Sequence, residues 1–169
     1  MSEYFSKINV PAYDSNKNGL NIELALHTIA SDELKIKSKG SIAEALQLNF
    51  ERTLEVMISI KKSWECLENY SYFIESKNND FIVRDSKSSS MAIAIMLMNI
   101  YRKINKQPEL KIFTGTGILR ADGGFDSANL ELVKKKNINE CKMYSEFLTS
   151  SNCNHLFDLE EIMINTIRN

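Results

Sequence analysis

Two prolines and six glycines leave this chain of 169 residues little material for flexible linkers. That scarcity excludes long low-complexity connections. With 43% hydrophobic residues, it implies one ordinary domain with a real core rather than two small ones. Cysteine is sparse too. Cys66, Cys141 and Cys153 are odd in number and show no C-x-x-C spacing, which argues against a disulfide framework; reduced, partly buried thiols are expected. No charge sign dominates. Lys and Arg total 21 against 22 Asp and Glu, for a net charge of −1, so no general pull toward nucleic acid or an anionic membrane is expected. The one basic run, Lys134–Lys136, reads as the solvated C-terminal end of a helix. The longest apolar run, Met91–Met98, is less than half of the roughly 20 residues that span a bilayer. The opening Met-Ser-Glu-Tyr-Phe lacks the basic and apolar regions of a signal peptide, so the expected setting is the cytoplasm. The phosphate-cradling motif G-x-x-x-x-G-K-[ST] does not occur, and no nucleotide-driven motor is expected in the chain. His27 and His155 stand far apart without H-x-x-x-H spacing. Neither a metal nor a cofactor is expected.

What is present is an alternation of strand and helix patterns. Ile8–Tyr13 and Leu20–Leu26 read as strands around the turn Asp14–Gly19. Leu20, Ile22, Leu24 and Leu26 alternate with Asn21, Glu23 and Ala25, giving one apolar face. Leu34–Ile36 continues as a short strand. Ser41 and Glu44 form a capping box for a helix reaching about Lys61, with Ile42, Ala45, Leu46, Phe50, Leu54, Met57 and Ile58 at helical spacing. A shorter amphipathic piece covers Ser63–Asn69. Tyr70–Ile74 reads as a strand, Lys77–Asp80 as a turn and Phe81–Val83 as extended. From about residue 88 to 104 the chain is apolar almost all round, which predicts a central, buried helix. Met57, Met91, Met96 and Met98 read as core filling. Lys111–Thr114 reads as a strand, Asp126–Lys136 as a helix after Gly123-Gly124, and Cys141–Tyr144 as a short strand. Asp158–Ile167 is a last helix, with Asp158 and Glu161 at cap spacing. The order predicts an α/β or α+β domain with mixed strand directions.

The chemistry-bearing residues lie between 82 and 130. Asp85-Ser86-Lys87-Ser88-Ser89-Ser90 leads into the buried helix, Thr114-Gly115 ends a strand, and Gly123-Gly124-Phe125-Asp126 follows. This layout resembles the proteolytic domain of Lon-type proteases, standing alone without an ATPase domain. That family has Asp-Gly-Pro-Ser-Ala-Gly before a small apolar helix, then a Thr-Gly strand end, then Gly-Gly-apolar-Lys. Ala12–Leu26, Leu34–Leu46 and Leu156–Ile167 are similar to the family's opening hairpin, its first strand and helix, and its closing segment. The resemblance covers about residues 8–169 and rests on order and spacing. It implies a mixed sheet around the helix near 88–104, with Ser88 in the nucleophile position, Thr114 behind it and Asp85 near the site. It also implies side-by-side packing into homo-oligomers.

The departures decide the function expected. Ser86 and Lys87 replace Gly-Pro, Ser90 replaces Gly, and Thr116 stands where the family commonly has Glu. Asp126 stands where the family has its catalytic lysine. In a Ser–Lys dyad a desolvated, neutral amine takes the serine proton. A carboxylate is a weak base at neutral pH, and its charge opposes an oxyanion. The plainer readings are structural: Ser88 as N-cap of the buried helix, Ser89 and Ser90 as first-turn residues, Asp126 as N-cap of the next helix and Asp85 as a turn residue. Lys87 adjoins Ser88 but consecutive side chains diverge, and Lys111 is a remote candidate base. The leading expectation is a pseudoenzyme that binds a peptide or protein partner. The alternatives are an active ATP-independent serine endopeptidase using Ser88, and an RNA-binding domain, against which the balanced charge argues.

Overall fold

The alternation at Leu20–Leu26 becomes the middle of a six-stranded sheet. The computed structural model describes residues 3–13, 19–39, 43–76, 89–108, 114–126, 147–149 and 153–168. β1 (Glu3–Tyr13) and β2 (Gly19–Ala30) pair antiparallel from Glu3↔Ile29 to Tyr13↔Gly19. Both strands outrun their sequence patterns. The ladder continues through Ser6, His27 and Thr28, where polar residues blur the alternation but backbone pairing does not depend on it. β3 (Ile36–Lys39) lies later than the expected Leu34–Ile36. Leu34 is instead 43% exposed, and Ile36 opens a parallel pairing with β4 (Tyr70–Ser76). Between them run α1 (Ala43–Ile60) and a 3₁₀ helix (Lys62–Asn69). The 3₁₀ form suits the sequence, because Trp64 and Leu67, both fully buried, are three residues apart and three residues make one turn.

The chain then forms α2 (Ser90–Ile104), β5 (Thr114–Thr116), a small hairpin of β6 (Ile118–Leu119) and β7 (Phe125–Asp126), β8 (Phe147–Thr149) and α3 (Leu156–Arg168). The sheet order is β3-β4-β2-β1-β5-β8. Its centre is antiparallel and both flanks are parallel, so the class is α+β with mixed strands, as expected. Among the described residues no helix is long and apolar enough to cross a membrane.

One face of the sheet presents Ile8, Val10, Ile22, Leu24, Leu26, Tyr72 and Ile74 to the core. α2 lies against that face and is covered in turn by α1, β5, β6, α3 and the 3₁₀ helix. Every side chain from Ser90 to Ile100 is at most 3% exposed, which matches the all-round apolar reading. Met57, Met91, Met96 and Met98 are core residues. Two boundaries differ from expectation. α2 starts at Ser90; Ser89 before it is already in helical conformation and makes no side-chain capping bond, and Ser88 lies outside the described residues. α3 starts two residues before Asp158. His155 caps it, with Nδ1 accepting from Phe157 N at 3.1 Å, and Asp158 reaches back to Asn154 N at 3.2 Å. The capping box at Ser41, the turn 77–80, the extended 81–83, most of the strand 111–114, the helix 127–136 and the strand 141–144 lie outside the described residues.

α1 supplies an internal control for this packing. Leu46 is 0% exposed and Leu48 is 66% exposed. Leu46→Ala is expected to lower unfolding free energy by about 2–5 kcal/mol, and Leu48→Ala by no more than about 0.5 kcal/mol, both read by urea denaturation.

Candidate functional site

The start of α2 is held by one amide. Asn49 of α1 donates from Nδ2 to Ser89 Oγ at 2.7 Å, and its Oδ1 accepts from Ser90 Oγ at 3.3 Å. All three residues are buried. Thr53 donates to the Asn49 carbonyl at 2.7 Å and Arg52 to the Leu119 carbonyl at 3.0 Å. α1 is thus tied both to the opening of α2 and to the β6 hairpin. The sequence carried a sign of this: Asn49 and Thr53 are four residues apart on the stripe that also holds Leu46, Phe50, Leu54 and Met57. A polar pair on a buried stripe needs partners there.

The strand that begins with Thr114-Gly115 lies close beside this helix start. Met91 N donates to Gly117 O at 3.2 Å. A β-carbon on Gly115 would stand 2.7 Å from Ile95 Cδ1, and one on Gly117 would stand 2.8 Å from Met91 Cε. A side chain at either position would have to push aside the end of an α2 side chain, so glycine suits the close approach. Thr114 is the first residue of β5, in register with Asn9 and Phe147. Thr116 is buried.

Asp126 ends β7, opposite Ile118, and its Oδ1 accepts from Arg120 Nη1 at 2.7 Å. The Gly-Gly pair serves a tight turn between β6 and β7. Arg120 N donates to Gly124 O at 2.8 Å, Gly123 N to Arg120 O at 3.0 Å, and Asp122 Oδ1 accepts from Gly124 N at 2.9 Å. Gly123 has φ +86°, and a β-carbon there would meet the His155 ring at 2.8 Å. Arg120 draws Asp122 and Asp126 to the hairpin, and the helix expected to follow Asp126 lies outside the described residues. Arg120 is the residue that sequence reasoning missed.

The backbone therefore links the start of α2 to the hairpin that carries Asp126. Gly117 accepts from Met91, and the next residue, Ile118, pairs with Asp126. Ser88, Asp85, Lys87 and Lys111 lie outside the described residues. The groups that are seen suit holding rather than proton transfer. The Asn49 amide is not a base. Arg120 has its pKa raised further, first by its hydrogen bond to Asp126 and then by Asp122. The backbone N–H of Gly124, and next Arg120, hold the Asp122 carboxyl below the usual carboxylate range. His155 is fully engaged: Nε2 donates to Asp122 O at 2.9 Å while Nδ1 accepts from Phe157 N. Burial pushes the Cys153 thiol up to about 12, so it is not a ready nucleophile. No group of three or more His, Cys, Asp or Glu converges on a metal position among the described residues.

Asn49→Ala, which deletes two buried hydrogen bonds, is expected to cost about 1–3 kcal/mol in thermal or chemical unfolding. Asp122 gives a pH signature. Its folded pKa is depressed, so its contribution is present above the ordinary carboxylate range and is lost as pH falls through the lower folded value. Asp122→Asn should flatten the acid limb of the stability curve below about pH 4 and lower stability at neutral pH. The chain matches no protein-family model and no curated protein.

Proposed function

We propose that this chain is a stand-alone, degenerate relative of the Lon-type proteolytic domain, acting by binding a peptide or protein, alone or as a homo-oligomer, rather than by hydrolysis. The observation that carries the reading is the Arg120–Asp126 pair at 2.7 Å. A catalytic dyad needs an amine that can lose its proton at this position. The chain has instead a carboxylate, engaged by a guanidinium one rung from the backbone that meets the start of α2. The guanidinium cannot replace the amine, because it stays protonated. The carboxylate is a poor base, and its charge would repel an oxyanion formed near the helix start. The order of elements supports the family part of the reading: an opening hairpin, a helix, a buried apolar helix entered through serines, a Thr-Gly strand, a Gly-Gly turn and a closing helix.

The test is turnover against binding on one unfolded substrate. Wild-type protein and Ser88→Ala are expected to give the same rate of casein cleavage as a protein-free blank. Both are expected to bind unfolded casein equally and saturably in calorimetry. Cleavage that Ser88→Ala abolishes would establish an active endopeptidase, and absence of any binding would remove the binding role.

A further inference from the structure

The face of the sheet turned away from α2 carries a row of rings. Phe5, His27 and Phe73 are cross-strand partners on β1, β2 and β4, and Lys37 of β3 continues the same rung. The Phe5 and His27 ring centroids are 5.0 Å apart, and those of His27 and Phe73 are 6.0 Å apart. The row is open to solvent: Phe5 is 41% exposed and the His27 side chain 47%. On the β3 side a shallow groove of about 260 Å³ is lined by His27, Ile29, Lys35, Lys37, Ser71, Tyr72 and Phe73. The charged side chains of that lining are lysines. The acids of this face, Glu75 beside His27, Glu23 on β2 and Glu3 opposite Ile29, are not among the lining residues. Among the described residues Lys35 makes a loose, exposed contact of 3.4 Å with Glu33.

We propose that this groove and ring row bind single-stranded RNA, a role separate from the site at the start of α2. Exposed rings side by side offer π-faces on which bases stack, and lysines at one end fix where phosphates lie. Stacking on exposed rings needs unpaired bases, which points to a single strand rather than a duplex. Ser71 favours ribose. Its hydroxyl donates to the Glu33 carbonyl at 3.1 Å, so its oxygen keeps lone pairs for an incoming O–H, which a ribose 2′-hydroxyl supplies and deoxyribose does not. The chain's balanced net charge does not oppose this, because the lysines are gathered at one edge.

Fluorescence anisotropy with a labelled oligouridylate of about ten nucleotides tests the proposal on the whole chain. Binding at low salt is expected to weaken about sevenfold between 50 and 200 mM salt if two phosphates are neutralised. Phe73→Ala should weaken it about 5- to 150-fold, the range of one stacked base. The double variant Lys35→Glu, Lys37→Glu changes only exposed side chains and should reduce affinity by about tenfold or more. Arg120→Ala should leave it unchanged. Absence of binding at low salt overturns the proposal, as does affinity indifferent to both the ring and lysine variants. Equal affinity for the matching DNA strand overturns the ribose assignment. Self-association that Phe5→Ser dissolves would make the face a contact between copies of this chain and also overturns it.

Discussion

Withdrawal of α2 from water on every side is the constraint from which the rest of the structure follows. A helix buried from Ser90 to Ile100 needs cover around its whole circumference, and the sheet, α1, the 3₁₀ helix, β5, β6 and α3 are arranged to supply it. Small residues meet it where backbone must come close, at Gly115 and Gly117. Its polar entrance cannot face water either, so its two serine hydroxyls are bonded to the Asn49 amide. Burial of such groups is tolerable only because they are hydrogen-bonded.

The same constraint sets the character of the region around the start of α2. The helix entrance is an anchored joint between α1, α2 and the β6–β7 hairpin. That hairpin is locked by its own turn bonds and docked on α3 through Leu156 N to Gly123 O at 2.9 Å and Phe125 N to Asn154 O at 2.8 Å. Arg120 and Asp126 are 46% and 54% exposed. Their attraction is therefore screened by solvent and adds little stability, but it fixes which chemical group occupies the position. A scaffold that holds its polar groups in mutual bonds is suited to presenting a surface rather than to moving protons.

The two faces of the sheet show how one strand serves two purposes. In β2, Ile22, Leu24 and Leu26 enter the core while His27 and Ile29 face outward, because successive side chains point to opposite sides. Rings on the outer face stabilise the sheet as cross-strand pairs and remain available to a ligand. Net charge says nothing of this, since it sums over residues that the fold separates.

Much of the fold was legible along the chain. The period-two run at Leu20–Leu26 marked the central strand, the all-apolar run after Ser90 marked the buried helix, and the stripe of Leu46, Phe50, Leu54 and Met57 marked α1. These patterns are local, and burial imposes them directly on residue type. Gly123-Gly124 could be located, but its hairpin was not foreseen, because the bonds that close it come from Arg120 and from the docking of His155. Asn49 looked like an ordinary helix residue until the partner helix placed two hydroxyls against it. The sequence by itself determined the class of elements, the identity of the core and the lack of an amine at position 126. Only the tertiary structure decided that Asp126 would pair with Arg120 and that Phe5, His27 and Phe73 would stand in one row, because those relations join residues distant in sequence and exist only once the chain has folded.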